Sequence, residues 1–105
     1  MYITSKYKDC KLYLNYNMDF TKNINEAIKL SDEEITESMA ALKKSSLLFD
    51  EVKQNLKVEC LYEVAGKNKL NELAVFCVVD TYAEACQKYF EAQEKGWYAL
   101  KINGN

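Results

Sequence analysis

Strand-like and helix-like stretches follow one another in the order strand, helix, strand, strand, helix, strand, which predicts an α+β fold in one domain spanning residues 1–105. Three observations carry this. The segments CKLYLNY (10–16) and KVECLYEV (57–64) alternate apolar and polar residues at period two, the pattern of a half-buried strand. SDEE (31–34) and TYAE (81–84) are both capping boxes, which mark helix starts. LNELAVFCVV (70–79) becomes apolar on both faces near its end, as a central strand does.

Residues 2–7 read as a short partner strand for 10–16, with Lys8 and Asp9 at the turn. Residues 15–25 are polar and irregular, and 23–30 give a mixed signal between short helix and strand. From Ser31 the reading sharpens. Asp32 and Glu33 stand where a helix dipole favours negative charge, and Ile35, Met39 and Leu42 share one helical face, resumed by Phe49, Val52 and Leu56. The intervening SSLLFD is a poorer helix former, so a kink or split is expected near Ser45 and Ser46. Residues 57–79 read as a hairpin turning at Gly66 and Asn68. Residues 81–95 read as a second helix closed by Gly96, and 97–103 as a last strand.

Two split β-α-β units joined by a hairpin give a ferredoxin-like βαββαβ layout, an antiparallel sheet with two helices on one face. Right-handed crossovers then place the first and third strands in the middle.

Composition excludes several chemistries. The chain has no histidine, and all fourteen basic residues are lysine. The side chain most used as a general base near neutral pH is therefore missing, as is the bidentate donor favoured for phosphate and guanine. A formal charge of −2 gives no global attraction to nucleic acid. With glycines only at 66, 96 and 104, no phosphate-cradling loop can be written. Cys10, Cys60, Cys77 and Cys86 form no close pair of the zinc-binding kind. They read as reduced core thiols. Thr81 supplies the helix cap, so Asp80 at the end of a strand is not needed there, and with no histidine and no nucleophile motif nearby in the sequence it reads as a solvated acid. Neither cofactor nor metal is expected, and no enzymatic activity. No apolar run is long enough to span a membrane, and no secretory signal is visible at the N-terminus, so a cytoplasmic protein is expected. Heavy use of Lys, Asn, Ile and Tyr is what an AT-rich genome encodes, a hint of a low-GC bacterium or phage.

Two surfaces stand out. In the ferredoxin-like layout Tyr13, Leu61, Phe76, Val78 and Trp97 gather on the helix-free sheet face, an apolar patch of the kind that marks an interface. Asp32, Glu33, Glu34 and Glu37 form an acidic cluster able to dock a basic partner. The function expected is a non-catalytic interaction module, an inhibitor or adaptor, whose partner is another protein or a second copy of itself. The alternatives are a single-stranded nucleic-acid-binding face and a dimeric small-molecule sensor.

Overall fold

The computed structural model describes residues 1–104. It is a mixed α+β structure with two antiparallel sheets and three α-helices. The chain divides into two compact units, the first Met1–Glu59 and the second beginning at Cys60.

The first unit opens with β1 (Tyr2–Tyr7) and β2 (Cys10–Leu14). They form a hairpin whose two turn residues, Lys8 and Asp9, both have positive φ, at 49° and 64°. That conformation gives the backbone twist a two-residue hairpin needs. A two-residue strand β3 (Phe20–Thr21) and a single 3₁₀ turn at Ile24–Glu26 follow. The Asn15 side chain organises the connection, accepting from the amides of Asn17 and Asp19. Helix α1 (Asp32–Lys44) starts at the expected capping box. Ser31 Oγ accepts from the Glu34 amide at 3.3 Å, and the Glu34 carboxylate accepts from the Ser31 amide at 3.1 Å. The helix ends at Ser45, and a separate helix α2 (Asp50–Gln54) follows. The split thus falls where SSLLFD foretold it. Strand β4 (Lys57–Glu59) then pairs with β1, giving the sheet order β3-β2-β1-β4. Ile3, Leu14, Leu30 and Leu42 are its buried core, with Phe20, Ile35, Met39 and Leu48 packed around them.

The second unit holds β5 (Tyr62–Lys67), β6 (Leu73–Val79), α3 (Tyr82–Glu94) and β7 (Tyr98–Gly104). β5 and β6 form the expected hairpin, its loop held by Asn68, whose side chain accepts from the amides of Leu70 and Glu72. α3 ends in a Schellman motif, with the Gly96 amide donating to Gln93 and the Trp97 amide to Ala92. Gly96 sits there at φ 91°, as the sequence anticipated. The sheet order is β6-β5-β7, and Val64, Val79 and Ala85 form the core between sheet and helix.

The ferredoxin-like βαββαβ layout is therefore corrected. The run 57–64, read as one strand, breaks at Cys60 and Leu61. Its first half closes one sheet and its second half centres another. The strand expected at 10–16 pairs with residues 2–7 as read, but it lies in a different sheet from β6, and β6 lies at an edge rather than in the middle. A period-two pattern reports which face is buried but not which strand lies alongside. Part of the expected order survives inside the second unit. There β6, α3 and β7 form a split β-α-β, with β5 antiparallel to both strands between them.

Candidate functional site

The residues assigned to one sheet face come from both sheets. Tyr13 lies in β2, paired with Thr4, and is 5% exposed; the Lys11 ammonium stands 5.6 Å from its ring centroid. Tyr13 alternates with the core residue Leu14, so its ring is on the side of its sheet away from that core. Leu61 and Val78 are buried at 1% and 7% exposure. Phe76 is half-buried and packs against the Val64–Val79–Ala85 core, edge-to-face with Trp97 at 5.2 Å and with Lys95 Nζ 5.4 Å from its ring centroid. The cause is a β-bulge: Val64 pairs with Cys77 and Ala65 with Val75, leaving Phe76 as the extra residue. Tyr13 thus belongs to the sheet of the first unit and Phe76 and Val78 to that of the second, where Phe76 meets Trp97.

The acidic cluster is placed as expected. Asp32, Glu33, Glu34 and Glu37 are all exposed on the first two turns of α1. Glu34 is turned onto Ser31, and those hydrogen bonds hold its carboxyl below the usual glutamate range. Among the described residues, no group of three or more His, Cys, Asp or Glu could hold a metal ion. In the second unit Lys88 and Lys95 both reach Glu91, at 3.0 and 3.4 Å. Those contacts lower the Glu91 pKa, and the same hydrogen bond raises that of Lys88.

One further surface feature was not flagged by the sequence patterns. In the first unit an apolar groove of about 360 Å³ is lined by Tyr7, Leu12, Phe20, Leu48, Phe49 and Val52, with Leu47 and Asp19 also at its wall. Its geometry follows from the interrupted helix. Ser45 stops α1, and the chain crosses to α2 through Leu47, Leu48 and Phe49 in non-helical backbone. Leu48 turns into the core. Leu47 does not, and stands 93% exposed. Phe49 occupies the N-cap of α2, where it makes no side-chain capping bond, and it is 64% exposed. Val52 is anchored by its carbonyl, which accepts from Ser5 Oγ at 2.6 Å. The signal available in the sequence was the pair Leu47 and Leu48, out of phase with the helical face that Leu42 and Phe49 share.

A second cavity, of about 270 Å³, lies on the same unit and is polar, with Lys6, Lys11 and Lys57 around it. No helix among the described residues is long and apolar enough to cross a membrane. Comparison with protein-family models, with curated proteins and with solved structures gives no match. The functional reading therefore rests on these surfaces.

Proposed function

We propose that the chain is a non-catalytic protein-interaction module that captures an apolar segment of a partner in the groove beside Leu47 and Phe49. The observation that carries this reading is the pairing of a nearly fully exposed leucine with a largely exposed phenylalanine at the mouth of an apolar groove. Single exposed apolar residues are ordinary, but contiguous ones rimming a concave surface mark interaction sites. Aromatic anchors beside an aliphatic pocket are the composition of an interface core.

The acidity of the surroundings supports a partner with basic flanks. Asp19 lines the groove, and Asp50 and Glu51 follow Phe49 directly. The cluster Asp32, Glu33, Glu34 and Glu37 adds further negative charge to the same unit. Charge of one sign around an apolar site accelerates encounter with the opposite sign more than it tightens the final complex. An inhibitor or adaptor role fits such a surface. The nucleic-acid alternative leaned on Tyr13 and Phe76 side by side on one sheet, an arrangement that the strand order does not provide.

The test is affinity capture from the native host lysate with the wild-type chain and with Leu47→Asp, alongside light scattering of each. The reading expects a partner, or a second copy, held by the wild type and released by Leu47→Asp. Equal capture by both proteins, with both monomeric, overturns it.

A further inference from the structure

Three lysines from three neighbouring strands meet around the polar cavity. Lys6 stands directly opposite Lys11 in the β1–β2 register, and Lys57 stands opposite Thr4 in the β1–β4 register. Thr4 and Lys6 are two residues apart on β1, so the three lysines project from one face of the sheet. The cavity they share is also lined by Thr4, Asn55 and Glu59, with Ser5 and Asp9 completing its wall.

Like charges placed directly opposite one another in a ladder are destabilising, and this chain neutralises them incompletely. Glu59 accepts from Lys11 Nζ at 2.9 Å and from Thr4 Oγ1 at 2.7 Å, both through the same oxygen. Asp9 lies 3.7 Å from Lys6, but its side chain is 97% exposed, and an ion pair so placed is worth little. Lys57 has no carboxylate within 4 Å among the described residues. Two ammonium groups therefore face one concave space without strong internal partners.

We propose that this cavity binds the phosphate groups of a small phosphorylated ligand, with Lys6 and Lys57 as the pairing charges and Lys11 fixed beside them by Glu59. Lysine acts on phosphate as a mobile point charge. Two such charges match a group carrying two or more negative charges better than a single carboxylate. The volume of about 270 Å³ falls just short of the roughly 300–1,000 Å³ typical of sites that enclose a whole drug-sized ligand. It suits a diphosphate with the rest of the ligand projecting into solvent. This inference is independent of the groove at Leu47 and Phe49.

The experiment titrates sodium pyrophosphate into the full chain by calorimetry at constant ionic strength, with amide chemical shifts followed in parallel. Saturable binding with shifts concentrated at Lys6, Lys11 and Lys57 is expected. Lys57→Gln removes one charge-assisted contact, which predicts at least about tenfold weaker binding. Glu59→Gln removes the carboxylate facing the ligand and should tighten binding. Lys53→Gln, on α2 and outside the cavity, should leave affinity unchanged. Heats that do not saturate at millimolar pyrophosphate overturn the proposal. So does an equal loss from Lys53→Gln and Lys57→Gln, or citrate binding as tightly as pyrophosphate.

Discussion

The ring of Tyr7 lies flat against that of Phe49, with centroids 4.9 Å apart and planes inclined by only 12°. Tyr7 is the last residue of β1, and Phe49 is the cap residue of α2, forty-two positions later. The contact ties the end of the first hairpin to the start of the second helix. Both rings line the groove, so the stack forms part of its wall. Lys8 reinforces the junction: its amide donates to the Glu51 carboxylate, and its ammonium stands 5.3 Å from the Tyr7 ring centroid.

A double-mutant cycle of Tyr7→Ala and Phe49→Ala measures that tie. Stacked aromatic pairs are worth about 0.5–1.5 kcal/mol beyond the area they bury, so urea unfolding should give a coupling energy in that range. A coupling near zero would mean that the rings merely share a surface. Phe49→Ala alone should also abolish partner capture while leaving the chain folded, since the ring is largely exposed already.

Leu47→Asp separates binding from stability more cleanly. The side chain is 93% exposed and gives the fold almost no buried area. Surface changes away from caps and cores usually fall within about 0.5 kcal/mol, so its urea midpoint should match that of the wild type. A large loss of stability would show that Leu47 is covered within the chain.

The capping box at α1 makes stability depend on pH in a stated direction. Glu34 has a carboxyl held below its ordinary value by hydrogen bonds to the Ser31 amide and hydroxyl. A group whose folded pKa is depressed contributes stability above its unfolded pKa and loses it as pH falls through the folded one. Stability from this box should therefore be complete above the ordinary glutamate value of 4.5 and decline below it. Glu34→Gln should flatten that part of the acid limb in a pH series of urea titrations. Ser31→Ala should cost about 1 kcal/mol at neutral pH, the usual loss of an N-cap.

These caps were the most legible part of the sequence, because a capping box is a local motif whose partners lie three residues apart. The Ser31 box forms in full. At Thr81 the hydroxyl accepts from the Glu84 amide at 3.2 Å, but it also donates to the Glu84 carboxylate at 3.1 Å. The turn at Lys8–Asp9, the split near Ser45 and the cap at Gly96 were legible for the same reason. What failed were statements about distant pairings. The separation of β2 and β6 into different sheets and the break at Cys60–Leu61 depend on which strand competes best for each edge, and alternation does not encode that. The bulge at Val64–Ala65 then turned Phe76 toward its own helix. The groove was missed because Leu47 and Phe49 read as a weak stretch of helix, although an apolar run that spoils a helix must be satisfied elsewhere.

The four thiols should react in an order set by exposure and burial. Cys60 is exposed between β4 and β5, while Cys77 is half-buried in β6. Burial pushes the Cys77 pKa up, with Lys88 opposing and Glu91 adding to the rise. Only the thiolate is an effective nucleophile. Mass-resolved alkylation with iodoacetamide near pH 8 should therefore modify Cys60 first and Cys77 last. Early modification of Cys77 would mean that β6 opens readily from its sheet.

The C-terminal end of β5 depends on a residue without a side chain, Gly66. A Cβ built on Gly66 would lie 2.7 Å from Leu100 Cδ2, 2.8 Å from the Tyr98 carbonyl oxygen and 3.1 Å from Leu100 Cα. Two of these neighbours are backbone atoms of β7, so rotation of a side chain cannot relieve the clash. The β5–β7 register is irregular between Ala65 and Lys67, around this residue, and close backbone approach of that kind is what a glycine within a strand permits. Gly66→Ala should force the strands apart and cost about 1–3 kcal/mol, the range for overpacking an interior. Gly104→Ala is the matched control. Its Cβ would lie 3.3 Å from the Tyr62 ring, whose edge can yield, so its effect should be small. Thermal unfolding of the two variants should therefore separate clearly. Equal melting temperatures would mean that β7 shifts along β5 without penalty, and that the sheet order of the second unit does not rest on this contact.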